Sequence, residues 1–266
     1  MSLKTEVYMH QVPKVSVITV VYNGIAHLEQ TIQSVINQTY ENIEYIIIDG
    51  GSTDGTVALL EKYDEHIEYW TSEEDSGIYD AMNKGIAKAT GEIVGLINAD
   101  DWYEQDAVRK VVETFLHSGA GVVHGSMNIV KENGTNFLKY AQKNVDNLKK
   151  GMVLNHSTIF AKRELYVEHG SFDTNYKIVA DWEKMLQWWL ADVTFVAVDD
   201  EIASFRIGGV SSEHLKKSFA EKHSVRDKHQ LYYFVDWFFV YDRVKSILPG
   251  DVLLSISLFR QKKIGA

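Results

Sequence analysis

Cysteine is absent from the 266-residue chain, which excludes a disulfide framework and every thiolate metal site. No apolar run approaches the roughly 20 residues that a membrane-spanning helix needs. Positive charge is in deficit: the formal net charge is −10, so a nucleic-acid backbone is excluded as the main partner. A phosphorylated small molecule is not excluded, because a cation or a helix N-terminus can meet its charge. Internal repeats, low-complexity tracts and a clear linker are missing. So are the Gly-Lys-Ser/Thr of a phosphate-cradling loop and the Gly-x-Gly-x-x-Gly dinucleotide fingerprint. The lack of thiols fits a reducing compartment. A charged N-terminus that runs straight into a strand-like segment gives the expectation of a cytoplasmic protein without a signal peptide.

What is present is a core-forming composition, 45% apolar, long enough for one large domain or for one with an appended C-terminal subdomain. Short β-branched runs alternate with helical periods. Strands are predicted over Val15–Tyr22, Ile43–Asp49, Ile67–Thr71, Ile93–Ala99 and Gly121–Met127. Helices are predicted between them over Ala26–Asn37, Thr56–Tyr63, Ile78–Ala89 and Gln105–His117. This alternation predicts an α/β doubly wound, mostly parallel sheet. Beyond Lys131 the pattern becomes mixed. Asn133-Gly134 is a turn signal, with short strands expected at Phe137–Tyr140, His156–Ala161, Val193–Val198 and Ile202–Arg206. Helices are expected from Lys162 to Glu168, from Asp181 through Trp189, and from His214 onward. The expected division is 1–130, 131–212 and a helical extension, 213–266.

Two strands deliver acids to their carboxyl ends. Ile43–Ile48 ends on Asp49, followed by Gly50-Gly51-Ser52-Thr53-Asp54-Gly55. The run from Glu92 to Ala99 ends on Asp100 and Asp101. Right-handed crossovers bring Tyr22, Asp49 and Asp100 to one sheet edge, where open α/β sheets hold ligands. Paired carboxylates suit a hard divalent cation, Mg²⁺ or Mn²⁺, that shares its shell with phosphate oxygens. They also suit a cap on the following helix. In Glu73–Gly85, Asp75 precedes a helix on which Tyr79, Asp80 and Asn83 face away from the apolar stripe.

In family order, the segments Ser16–Asn23, Ser34–Tyr40, Ile48–Thr56, Asn83-Lys84-Gly85 and Asn98–Asp101 resemble the nucleotide-binding half of family 2 glycosyltransferases, which have the GT-A fold. The resemblance implies that the first strand, through Thr19, Val21 and Tyr22, frames the base of a nucleotide sugar. It implies that Asp49 contacts the uracil or ribose, and that Asp75, Tyr79 and Asp80 border the donor pocket. Asn98 and Asp100 would flank the donor, with Asp100 and Asp101 as the metal motif and Asp101 the direct ligand. Asp181, opening a helix, resembles the family's general base. Gly50, Asn98 and Ala180 stand where the family often has acids, and Gly50 leaves the donor's base open.

His156 and Arg206 are further candidates, the first to line the site and the second to meet a phosphate. The stretch Phe205–Ser212 has the look of a loop over the donor. The variant Asp-Gly-Gly-Ser-Thr-Asp-Gly resembles a subgroup acting in bacterial O-antigen and exopolysaccharide assembly. The implied activity is inverting, metal-dependent transfer of a sugar to a hydroxyl of a glycan or lipid-linked acceptor. The aromatic stretch Leu231–Tyr241 and the apolar Leu253–Phe259 offer either a peripheral contact with the inner face of the membrane or a packing or homodimer surface. Two other readings stand beside this one. A haloacid dehalogenase-type phosphohydrolase would use Asp49 as nucleophile, but Gly51 holds the position where it needs a second acid. The other is a non-catalytic sugar-nucleotide-binding subunit.

Overall fold

A computed structural model describes residues 12–131, 133–207 and 215–231. The chain runs β1 (Val15–Val21), α1 (Leu28–Ile36), β2 (Ile43–Asp49), α2 (Thr56–Lys62), β3 (Tyr69–Ser72), α3 (Ile78–Lys88) and β4 (Ile93–Asn98). There follow β5 (Trp102–Tyr103), α4 (Ala107–Ser118), β6 (Val122–Val130), β7 (Asn136–Lys139), β8 (Phe160–Lys162), α5 (Arg163–His169), α6 (Ala180–Leu190), β9 (Phe195–Arg206) and α7 (Leu215–Lys228). One sheet takes in all these strands in the order β3-β2-β1-β4-β8-β6-β9-β5, with β7 beside β6. The ladders β3-β2-β1-β4 are parallel. Antiparallel β8 then separates β4 from β6, so the second half of the sheet is mixed.

The central strands β1, β2 and β4 bury both faces, with successive side chains pointing to opposite sides of the sheet. Ile18, Val20, Ile46 and Ile48 face α3 and α6 through Met82, Ile86, Trp182 and Met185. Val15, Val17, Val21, Tyr45 and Ile47 face α1, α2 and α4 through Leu28, Ile32, Leu60, Val108 and Val111. Each such side chain contributes about 1.5–3 kcal/mol on burial. At Gly85 α3 lies so close to β1 that a Cβ would stand 2.4 Å from Ile18 Cγ2, so a larger residue would push the helix off the sheet.

Three expectations change. His156–Thr158 is a 3-10 turn, and the strand begins only at Phe160. Ser157 and Thr158 carry hydroxyls that need partners on different sides, and the turn supplies them: Asp101 for Ser157, Gly125 O and Asn155 O for Thr158. The two late strands are one, β9, whose register against β6 shifts near Ser126. A bulge of this kind bends a strand without ending it. Trp102 and Tyr103 form a short strand on β9 that no periodicity announces. Among the described residues no helix is long and apolar enough to cross a membrane. Gly208–Ser212 of the loop expected over the donor, the aromatic stretch beyond Leu231 and the apolar Leu253–Phe259 lie outside the described residues.

Candidate active site

The parallel strands end level, with Val21 opposite Asp49 and Val20 opposite Asn98. The loops leaving β1 and β2 brace each other there. Asn23 N–H donates to Ser52 Oγ at 2.7 Å, Thr53 N–H to Asn23 Oδ1 at 2.9 Å, and Ile25 N–H to Asp54 Oδ2 at 3.0 Å. Asp49 is fully buried. Its oxygens accept from the Ser52 hydroxyl and amide, the Gly51 amide and the Ser72 hydroxyl. Its carboxylate therefore fixes the shape of the Gly-rich loop.

The neighbouring Gly50 opens the space that Asp75 fills. A Cβ on Gly50 would lie 2.6 Å from Asp75 Oδ2 and 3.4 Å from Tyr22 Cδ2. Asp75 is aimed by Gly77 N–H, which donates to its other oxygen at 2.7 Å. Tyr22 is 69% exposed beside it, an open aromatic face next to a carboxylate.

At the end of β4, Asp101 is buried and Asp100 is half-buried. Asp101 accepts from Ser157 Oγ at 2.5 Å and from the Arg206 amide at 3.3 Å. Its backbone carbonyl accepts from Thr31 Oγ1 at 2.7 Å. Burial, and then the adjacent Asp100 charge, push the Asp101 carboxyl up to about 7. Neither acid caps the next helix, since α4 starts only at Ala107, after Asp106. Arg206 lies over the Trp102 ring at 5.2 Å and donates to Gln30 Oε1 at 2.8 Å. Its buried Nε has no hydrogen-bond partner, and neither does the buried Asn98 Oδ1. Unsatisfied buried polar atoms are costly, and these two border the acidic pair in sequence or in space.

Asp181 lies in the first turn of α6, one residue inside the helix start, after Val179 at the cap position. Tyr79 Oη is 3.1 Å from its Oδ1, and His156 Nδ1 is 3.6 Å from its Oδ2. Burial, followed by the Asp181 charge, raises Tyr79 well above the usual phenol range, so it stays a hydrogen-bond donor. His156 Nε2 is buried without a partner.

Contacts and chain neighbours together trace an arc. Arg206 touches Asp101, which holds Ser157, next to His156. His156 meets Asp181, which meets Tyr79 at the start of α3, and Asp75 just before that helix adjoins Gly50 and Tyr22. Other candidates fall elsewhere. Thr19 is fully buried and hydrogen-bonds Tyr45 Oη at 3.0 Å, and Val21 packs in the core. Both face inward because β1 buries each of its faces, so their side chains do not line the arc. Asp80 accepts from Ser76 N–H at 3.0 Å and braces the first turn of α3. Sequence reasoning missed Ser157 and Ser72, hydroxyls whose acidic partners are 56 and 23 residues away. No local pattern signals such pairs.

The sequence profile of Glycosyl transferase family 2 matches residues 16–170. An uncharacterized glycosyltransferase of Mycobacterium tuberculosis is 33% identical over 235 residues, covering 85% of this chain and 88% of its own. TuaG of Bacillus subtilis, a glycosyltransferase assigned by name to teichuronic acid biosynthesis, is 31% identical over 159 residues, 57% of this chain and 63% of TuaG. Among solved structures, S. aureus TarS 1–349 with UDP-GlcNAc superposes with a TM-score of 0.67 at 16% identity, covering 84% of this chain and 68% of that one. The chain spans 41% of the longer TarS chain. The Pyrobaculum calidifontis mannosyltransferase PcManGT, solved with GDP-Man and Mn²⁺, gives a TM-score of 0.64 at 20% identity over 94% of this chain and 80% of that one. At such identities the likeness establishes the shared GT-A fold. With the profile match and the mycobacterial relative, the chain belongs to glycosyltransferase family 2.

Proposed function

We propose that this protein transfers a sugar, with inversion, from a nucleoside diphosphate donor to a hydroxyl of a glycan or lipid-linked acceptor in bacterial cell-surface polysaccharide synthesis. The observation that carries the reading is the arc itself. It joins a Tyr22–Asp75 recess at one end to the Asp100–Asp101 pair at the other, with Asp181 between them. Tyr22 offers a face on which a base stacks, and Asp75 accepts hydrogen bonds from that base. An imide N–H, as in uracil, suits an acceptor-only carboxylate, so a UDP-sugar is the donor we favour. Arg206 and its unpartnered Nε meet the diphosphate. Asp181 takes the proton from the attacking hydroxyl.

The acidic end suits a Mg²⁺ or Mn²⁺ ion. The Asp100 and Asp101 carboxylates and the orphaned Asn98 amide oxygen are the hard donors such ions take. Among the described residues no three acidic or imidazole side chains gather closely enough to hold a metal alone, which fits a site completed by donor phosphates. A bound cation supplies charge neutralisation for the departing diphosphate. A phosphohydrolase using Asp49 is disfavoured, because that carboxylate is buried under four donors. Work at the cytoplasmic side, with peripheral membrane contact for a lipid-linked acceptor, belongs to the same reading.

The test is a thermal-shift series with UDP- and GDP-sugars, with and without Mn²⁺ or Mg²⁺. Ligand that binds the folded state raises its melting temperature. A shift that needs both a nucleotide sugar and the cation supports the reading. No shift with any nucleotide sugar sinks it.

A further inference from the structure

Helix α7 takes no part in the arc, yet it grips the segment that delivers Asp181. Its Glu221 carboxylate forks across two successive backbone amides: Lys177 N–H donates to Oε1 at 3.0 Å and Ile178 N–H to Oε2 at 2.8 Å. These amides immediately precede Val179, the cap position of α6, where no side chain caps the helix. The carbonyl of the same Ile178 accepts from Tyr79 Oη at 2.9 Å, and that Oη also stands 3.1 Å from Asp181 Oδ1. A phenol has one hydrogen to give. The share that Ile178 O takes is withheld from Asp181, whose oxygen is then free to receive a proton.

We propose that Glu221 is a positioning residue for the transfer reaction: it pins Ile178 so that the Ile178 carbonyl, Tyr79 and Asp181 keep this geometry. The inference rests on the reading of Asp181 as the base. Other contacts hold α7 in place and make the grip rigid. Val225 is buried, Lys228 meets Asp173 and Glu183 at 3.0 Å each, and His229 Nε2 lies 2.8 Å from the buried Glu183. Hydrogen bonds to a carboxylate are roughly twice as strong as neutral ones, so a forked pair restrains the segment tightly. Lys177 adds a further tie, its Nζ donating to Ser76 O at 2.8 Å, just before α3 brings up Tyr79. The groups that face Tyr79 and Asp181 thus come from α3, the 155–158 turn, the 177–178 segment and α7.

The experiment measures steady-state transfer for Glu221→Ala, Glu221→Gln, Tyr79→Phe and the Glu221→Ala/Tyr79→Phe double variant, with donor affinity determined separately. Misplacing a reacting group by about an ångström costs on the order of 10²-fold in rate, so Glu221→Ala should lower kcat about 10- to 100-fold and leave donor affinity unchanged. Glu221→Gln keeps one acceptor oxygen and should recover part of the loss. In the Tyr79→Phe background the Glu221→Ala change should add little, since both act through the same hydroxyl. Wild-type kcat for Glu221→Ala, or a full additive loss in the double variant, overturns the proposal. Should Glu221→Ala fail to fold, Glu221→Gln alone and in the Tyr79→Phe background decides it: wild-type kcat for Glu221→Gln, or a full additive loss with Tyr79→Phe, overturns the proposal. Asp181→Asn run alongside separates the two claims. If it transfers near the wild-type rate, the base reading fails. If it is inactive while Glu221→Ala is unimpaired, only the present inference fails.

Discussion

Replacing Asp101 by Asn should stabilise the protein while removing its response to a cation. The Asp101 carboxyl sits at about 7 rather than the ordinary 3.8, chiefly because it is buried and then because Asp100 repels its charge. A carboxyl raised in the folded state stabilises that state below the unfolded value, and the contribution is lost as pH rises through the folded one. The gap corresponds to about 4 kcal/mol of destabilisation at about pH 8, and to about 1 kcal/mol at about pH 4.5. Asn removes the charge but offers one acceptor oxygen to two donors, Ser157 Oγ and Arg206 N–H, which returns about 1–2 kcal/mol. The net expectation is a gain of about 2–3 kcal/mol at about pH 8, and little change at about pH 4.5. Urea unfolding of both proteins at the two pH values measures it. Calorimetry of nucleotide-sugar binding should at the same time show Mn²⁺ enhancement in the wild type and none in the variant. A variant no more stable than wild type at high pH, or one that keeps the cation effect, refutes the reasoning.

Two further outcomes follow from single buried positions. His124 is buried with both ring nitrogens unpartnered, and burial lowers it to about 4. Its contribution is present above about pH 6.5 and is lost as pH falls towards about 4, at most about 3 kcal/mol. His124→Leu should flatten that limb of the stability profile measured by urea unfolding, and an unchanged limb contradicts it. Gly50→Ala places a Cβ 2.6 Å from Asp75 Oδ2 and must drive that carboxylate out of its recess. Nucleotide-sugar affinity should fall about tenfold, the worth of one charged hydrogen bond, while the urea midpoint moves little. Undiminished affinity would show that Asp75 does not read the base.

Much of the fold was legible because its signals are local. The β-branched runs of β1, β2 and β4 and the amphipathic periods of α1, α3 and α4 carry their own structure, as does the acid at the end of each of β2 and β4. The carboxyl-edge location of the site follows from right-handed crossovers. The acceptor half was less legible, because its elements are decided by partners far along the chain. His156–Thr158 curls into a turn to reach Asp101 and Gly125, although its composition suits a strand. β9 stays one strand because a bulge absorbs the polar Asp199-Asp200 interruption. Thr19 and Val21 matched a motif, yet their side chains serve the core. Glu221 bonds to backbone amides 44 and 43 residues away, and no sequence spacing announces such a contact.

The central claim is that Asp181 takes the acceptor's proton inside the arc joining Tyr22 to Arg206. Transfer by Asp181→Asn, measured together with its nucleotide-sugar affinity, tests this most directly. The side chain keeps its size and its contact with Tyr79 but gives up its basicity. Turnover should fall by about 10²- to 10⁴-fold, the usual worth of general base catalysis, with donor affinity within a few-fold of wild type. Turnover near the wild-type rate would contradict the account.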